Sequence, residues 1–504
     1  MSTADAPSRS DRLLFLGCFI ALIATAFGFV VRTMLIDGWG VQFGLTDTQK
    51  GEIFGVGLWP FAISIVLFSL VIDRIGYGRA MVFAFVCHVA SAIITITATG
   101  YWSLYVGTFI VALGNGTVEA VINPVVTTMF KRDKTRWLNA LHAGWPGGLV
   151  LGGILAVSLG SADWRIKVGL LLIPTVAYAL ILMRCRFPVQ ERVAAGVSYR
   201  DMLREAGGLG MFIVLALVFM ELARDFGQTW QVALIAAVVV AALFTASVKS
   251  LGRPMFVILL LIMIPLATTE LGIDSWSTSL MNSEMEKLGI NAVWVLVYTS
   301  AIMMVLRLFA GPIVHKLSPL GLLMTCSAVA AAGLYALSSA SGAMIFVAAT
   351  VYGVGKTFFW PTMLGVVAER FPKGGALTLN ATGGVGMLGV GVIGAVFLGH
   401  FQDTKAVELL QKEKPAIYQQ VASEKEWLLG RYTAIDPQKQ EKLPKEEQDA
   451  IKALSGTAQK AALATASGFP LLTFVCFLGL ALWFRARGGY RAETLEGSGH
   501  APSH

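Results

Sequence analysis

Long uninterrupted apolar runs dominate this chain and leave it few ways to fold. Stretches of about 20 residues recur with almost no charge, the length a helix needs to cross a hydrocarbon core of roughly 30 Å. A bilayer offers no water to backbone amides, so each run must close its own hydrogen bonds as a helix. Composition agrees. Of the 504 residues, 56% are hydrophobic and 14% charged, against about 25% charged in a soluble domain. Spans are expected near 13–36, 53–72, 80–99, 102–130, 137–160 and 167–185. A second group is expected near 254–281, 291–314, 320–340, 343–370, 375–400 and 467–485, and two further runs, 207–223 and 229–248, lie between the groups. The sequence therefore predicts an all-α membrane protein of about 14 transmembrane helices, ordered as six, a hairpin and six.

The first run, from Leu13 to about Ile36, lacks an A-x-A-like cleavage site and continues into more spans, so it reads as a span and not a cleaved signal. Cys18, Cys87, Cys185, Cys326 and Cys476 each lie in or beside an apolar run. They lack the close pairing that a disulfide or metal site needs and read as small buried hydrophobes. Neither a metal nor a cofactor is expected.

The net charge of +8 is a topology signal. Basic residues cluster at Arg74 and Arg79, at Lys131, Arg132, Lys134 and Arg136, and at Arg184, Arg186, Arg192, Arg200 and Arg204. They recur at Lys249 and Arg253, Arg370 and Lys373, and Arg485, Arg487 and Arg491. With both termini cytoplasmic, all of these fall on the cytoplasmic face, which is the positive-inside pattern. The expectation is a multi-pass plasma-membrane protein, in a bacterial inner membrane, that works as a monomer in the lipid bilayer and binds no nucleic acid. It divides into an N-terminal six-helix bundle (1–187), a linker with an inserted hairpin (188–253), and a C-terminal six-helix bundle (254–504). The polar stretch 401–466, rich in Lys, Glu and Gln, is expected as a small helical insertion outside the membrane.

The two groups are related by an internal repeat. Ile36-Asp37-Gly38-Trp39 matches Ile273-Asp274-Ser275-Trp276, and Asn123-Pro124 matches Trp360-Pro361, both at an offset of 237 residues. Leu138-Asn139-Ala140 matches Leu379-Asn380-Ala381 at an offset of 241. Two bundles related along the membrane normal place a substrate site between them near the midplane. The same offset equates Glu119 with Lys356. The expectation is that these two face each other across that site, because charges at mid-bilayer pair or line water.

Ser69-Leu70-Val71-Ile72-Asp73-Arg74-Ile75-Gly76-Tyr77-Gly78-Arg79 resembles the G-x-L-x-D-R-x-G-x-x-R signature of the major facilitator superfamily, with Ser69 in place of the first Gly. An Asp at a helix end pairs with Arg or caps a neighbouring dipole, so Asp73, Arg74, Gly76 and Arg79 are expected as a conformational latch. Gly311-Pro312-Ile313-Val314-His315-Lys316 is its degenerate second copy, and Arg307, close by, is assigned to the latch. Gly114-Asn115-Gly116-Thr117-Val118-Glu119, ending in Asn123-Pro124, resembles the G-x-G-x-x-E-x-x-x-N-P stretch of the fucose–galactose–glucose:proton symporter family. Leu138-Asn139-Ala140-Leu141-His142 follows where that family has L-N-x-x-Q. The resemblance implies a major facilitator-type fold and an alternating-access symporter, with Glu119 as substrate or proton carboxylate. The chain departs from it at His142, at Trp145, and at Arg32, where the family has an acid.

Site expectations follow. Glu119 and His142 suit proton coupling, the latter because an imidazole titrates near pH ~6.5. Asn123 and Asn139 suit hydroxyl ligands or interhelical bonds. Glu270 and Asp274, four residues apart, are expected on one helix face, either in a sugar site with Trp276 nearby to stack on the ring or in a gate of the extracellular half. Arg32 either binds an anion or pairs with Asp37. Lys356 neutralises an acid or binds substrate, and Trp360 lines the cavity. The leading expectation is proton-coupled symport of a sugar or similar small polar solute. The alternatives are a small organic anion, clamped by Arg32, Lys356 and Arg307, or a non-transporting receptor. Neither an H-E-x-x-H nor a G-x-S-x-G pattern occurs, so no enzyme is expected.

Overall fold

The computed structural model of the chain describes residues 8–45, 47–290, 293–427 and 430–495. The side chains of Asp37 and Trp276 lie outside the described residues, and with them the expected Arg32–Asp37 pair and the Trp276 stacking platform.

Apolar runs become helices throughout. The N-terminal bundle holds α1 (Arg9–Ile36), α2 (Gln49–Ile75), α3 (Tyr77–Ile96), α4 (Tyr101–Met129), α5 (Lys134–Ser158) and α6 (Trp164–Leu182). A hairpin of α7 (Tyr199–Arg224) and α8 (Trp230–Val248) follows. The C-terminal bundle holds α9 (Pro254–Ser275), the bent pair α10 (Val293–Leu308 with Ala310–Leu317) and α11 (Pro319–Ser339). It continues with α12 (Met344–Lys356 with Phe359–Arg370), α13 (Pro372–Glu413) and α14 (Lys445–Arg485). The start of α1 shows local sequence at work. Ser8 Oγ accepts from the Asp11 N–H and the Asp11 carboxylate accepts from the Ser8 N–H, both at 3.1 Å, which satisfies two donors that a helix start leaves open.

Among the described residues, 12 helices are long and apolar enough to cross a membrane, and 13 if the bent pair counts as one. The difference from the expected 14 lies in α12. Pro361 has no N–H to give the Thr357 carbonyl and disfavours helix before it, so the run breaks at Thr357 and Phe358 into helices of 13 and 12 residues.

In the first bundle α1 packs on α5 and α6, and α4 on α2 and α3. In the second, α11 packs on α12 and α14, and α9 on α13. The bundles meet where α2 and α4 pack on α13 and where α5 packs on α10 and α12. Glycine makes the close contacts possible. On α5, Gly148 sits against Ile23 and Ala26 of α1, while Gly153 faces Val297 of α10. The hairpin leans on the second bundle, with α7 against α9 and α13.

The insertion differs from expectation in two ways. It contains an antiparallel hairpin, Ala422–Trp427 paired with Gly430–Ile435, in register Ala422↔Ile435. It also grows out of the spans themselves: α13 is 42 residues and α14 is 41, each about 60 Å at ~1.5 Å per residue and roughly twice the hydrocarbon thickness. Leu410, Ile417, Val421 and Ile451 give it a small core. Lys452 pairs with Glu286 (2.9 Å) and Lys460 with Glu284 (3.1 Å), tying it to the helix that continues α9 as far as Lys287.

On the opposite face, which carries the basic loops, the C-terminal tail docks. Arg253 donates to both Glu493 oxygens at 2.8 Å, and Arg370 Nη2 lies 3.1 Å from Glu493. The Arg253 hydrogen bonds hold the Glu493 carboxyl below its ordinary value. A depressed carboxyl contributes docking energy that is fully present above the unfolded value, ~4.3, and lost as pH falls through the folded one. A nitroxide at Ala492→Cys is therefore expected to be immobile at neutral pH and to gain mobility as pH drops below about 4. Glu493→Gln should free it at neutral pH. Equal spectra for the two chains at neutral pH would rule this anchor out.

Candidate functional site

Three prolines prepare the centre of the molecule. Each lacks an N–H and so strips the carbonyl four residues earlier of its helical partner, and a buried carbonyl must find another. Pro124 frees Ala120, Pro146 frees His142 and Pro361 frees Thr357. Each freed oxygen is taken by a side chain. Asn380 Nδ2 donates to the Ala120 carbonyl (3.2 Å). Arg307 Nη1 donates to the His142 carbonyl (2.9 Å) and Arg307 Nε to that of Thr357 (2.5 Å). The remaining Arg307 arm donates from Nη2 to Glu270 Oε1 (2.5 Å). Arg307 is 1% exposed, and it joins α5 of one bundle to α9, α10 and α12 of the other.

The assignment of Arg307 to the latch is corrected by this placement. Although it lies in the last turn of Val293–Leu308, its side chain faces the centre, and at the turn itself His315 lies 3.4 Å from Asp133 instead. Glu270 also departs from expectation. It lies in a π-turn, Thr268–Gly272, whose extra residue per turn rotates it away from Asp274. Its second oxygen, Oε2, accepts the Trp360 N–H (3.0 Å), a free donor at the start of the second half of α12. Asp274 instead pairs with Lys356, which also lies 5.0 Å from the centre of the Tyr352 ring.

The expected confrontation of Glu119 with Lys356 is therefore not what forms. Lys356 is fully buried and turned to Asp274 inside its own bundle. The cation in the cavity that Glu119 lines is Arg307. That cavity spans about 360 Å³ counted with the open space at its mouth, and His142, Glu270 and Trp360 complete its polar rim. Glu119 Oε2 accepts from Asn123 Nδ2 (2.7 Å), and Asn123 Oδ1 lies 2.9 Å from His142 Nε2. Glu119, Asn123 and His142 thus form one chain beside the Arg307–Glu270 pair.

A second cavity of about 650 Å³ adjoins the first, sharing Phe61, Trp145, Leu271 and Met387 as walls. Phe29, Phe54, Arg32, Asn115 and Asp274 also line it. The Arg32 guanidinium is 6.0 and 5.9 Å from the Phe29 and Phe54 ring centres. Arg32 is 7% exposed, its Nε has no hydrogen-bond partner, and no carboxylate pairs with it among the described residues. Sequence reading passed over Asn115, Phe29 and Phe54. For Asn115 the signal was its place between Gly114 and Gly116, which pack on α3 and α2.

The face with the basic loops is tied together by side-chain contacts. Asp73 pairs with Arg192, and Gln190, its amide turned to suit both neighbours, bridges Asp73 (3.2 Å) to the Ala376 N–H near the start of α13. Gly76, at φ +82°, makes the turn that only glycine adopts readily. Arg74 stacks over Tyr199 (5.3 Å), and Arg79 is exposed. Thr135 donates to Glu369 (2.5 Å), and Asn139 to Thr362 (3.1 Å). Asn139 therefore sits in the seam between bundles and lines neither cavity. Its repeat mate Asn380 makes the reciprocal bond, to Ala120.

A family model described as Major Facilitator Superfamily matches residues 13–402. The riboflavin transporter MCH5 of Saccharomyces cerevisiae is 29% identical over 245 residues, which is 42% of this chain and 46% of the yeast protein. The chain thus spans about half the length of that curated relative. The E. coli fucose:proton symporter FucP superposes with a TM-score of 0.55 at 13% identity, covering 92% of this chain and 98% of that one. The human organic anion transporter MFSD10 superposes with a TM-score of 0.58 at 12% identity, covering 92% and 99%.

Proposed function

Because the chain belongs to the major facilitator superfamily, we propose that it is a secondary transporter that moves a small organic anion together with a proton by alternating access. The observation that carries this reading is Arg32, a buried guanidinium with no carboxylate paired to it among the described residues, facing the larger cavity. A bare charge at membrane depth is costly and marks a ligand pathway. The two acids once expected to bind sugar hydroxyls are already engaged, Glu270 by Arg307 and Asp274 by Lys356. That leaves fewer free acceptors for sugar hydroxyls, while Arg32 offers a cationic donor to the cavity. Phe29, Phe54 and Trp145 supply apolar walls for the rest of the solute.

Charge balance links anion to proton. Arg32, Arg307 and Lys356 oppose Glu119, Glu270 and Asp274. Two pairs cancel locally, leaving Arg32 and Glu119 as separated opposite charges. An anion on Arg32 makes the centre negative, and a proton on Glu119 restores neutrality. The empty and doubly loaded forms are both neutral and both free to switch. The singly loaded forms carry a net charge, which low-dielectric surroundings penalise. The positive-inside pattern favours a cytoplasmic assignment for the face with the basic loops, and with Asp73 paired to Arg192 there, the state described is read as one that takes up solute from outside.

The test is uptake into proteoliposomes. An imposed gradient, acid on the loading side, should accumulate labelled benzoate beyond the level that protein-free liposomes reach, and should not accumulate labelled glucose. Arg32→Gln should lower benzoate uptake by about tenfold or more, the loss expected of a charge-assisted hydrogen bond, with melting unchanged. Gradient-driven glucose uptake, or full benzoate uptake by the variant, would sink the anion reading.

A further inference from the structure

A second donor completes the anion site. Asn115, on α4, lines the same cavity as Arg32 and is 8% exposed. Behind it stands a buried chain that the transport cycle above does not use. Asn115 Oδ1 lies 2.9 Å from His88 Nε2, and His88 Nδ1 lies 3.1 Å from the Tyr178 hydroxyl. His88 is fully buried and Tyr178 is 1% exposed. Gly114 makes the approach possible, since a Cβ there would press on the His88 ring at 2.9 Å.

The direction of this chain follows from counting protons. Tyr178 OH has one other polar neighbour at hydrogen-bond distance among the described residues, His88 Nδ1. If Nδ1 carried the imidazole proton, the phenol proton would be left without an acceptor in an apolar bundle, which buried hydroxyls avoid. With Tyr178 donating to Nδ1, the imidazole proton sits on Nε2 and is given to Asn115 Oδ1. The amide is then fixed with its oxygen inward and its NH2 toward the cavity. That NH2 donates to no group among the described residues. We propose that Arg32 and Asn115 together form a two-donor clamp for the solute's carboxylate, with Tyr178 and His88 as positioning residues that hold the Asn115 amide donor-first.

This rests on the reading that the cavity takes an organic anion, and the experiment separates the two. Benzoate and benzamide have the same shape, and the second replaces one acceptor oxygen with a donor. Isothermal titration of the purified full chain should show benzoate bound at least about tenfold more tightly than benzamide. Tyr178→Phe removes the proton that fixes the tautomer, frees the amide to turn over, and should shrink that ratio several-fold. Asn115→Asp presents an acceptor in place of the NH2 and should invert the ratio. A purely structural role would weaken both ligands alike and lower the melting temperature. If Arg32→Gln abolishes the preference while Tyr178→Phe and Asn115→Asp leave it intact, the clamp is wrong and the anion reading stands. If Arg32→Gln also keeps the wild-type preference, or the wild type shows none, both fall.

Discussion

Arg307→Met is expected to be the most damaging single substitution in this chain, costing about 3–5 kcal/mol of stability, the penalty for leaving a buried acid unpaired. It strands Glu270 at 2% exposure and re-opens the carbonyls that Pro146 and Pro361 freed. Because Arg307 spans the bundles, gradient-driven uptake should disappear with the stability. Two comparisons isolate the cause. Arg307→Lys keeps the charge but not the three-way fork, so it should fall between wild type and Met. Adding Glu270→Gln to Arg307→Met removes the stranded charge and should restore part of the lost melting temperature. A melting curve for Arg307→Met that overlays the wild type would show that this fork holds nothing together.

The second large effect concerns Glu119. Glu119→Gln fixes that carboxyl in a permanently neutral form while keeping an acceptor for Asn123 Nδ2. Anion loading should then no longer depend on a proton. Accumulation of benzoate under a pH gradient is expected to fall by about 5- to 150-fold, the usual range of a coupling free energy between two ligands. Exchange of internal for external benzoate, which needs no net proton movement, should persist. Loss of both activities together would assign Glu119 a structural role, and retention of the gradient response would place the proton elsewhere.

Much of the fold was legible because its signals are local. A run of apolar residues announces a helix in lipid wherever it occurs, and the matched stretches at offsets of 237 and 241 residues led the sequence reading to expect two related bundles. Asn139 and Asn380, matched at an offset of 241 residues, make reciprocal bonds across the seam. The signature around Asp73 led directly to a turn that pairs with Arg192. What stayed hidden was the choice of partners. Lys356 and Asp274 are 82 residues apart, and nothing near either one says that they meet. The π-turn at Glu270 broke an i, i+4 inference that a regular helix would have honoured. Arg307 was misjudged because a nearby turn outweighed a stronger clue, an arginine inside an apolar helix. Glu and Lys in 422–427 masked a strand that only its pairing with 430–435 reveals.

The extended last two spans have a practical consequence. Most proteins of this shape vanish into their detergent belt and offer an electron microscope little to align on. Here long helices carry a knob with its own core at Leu410, Val421 and Ile451 beyond the belt. Particle images should be orientable from that protrusion alone, and an antibody fragment raised against its hairpin would enlarge the landmark without touching the solute path.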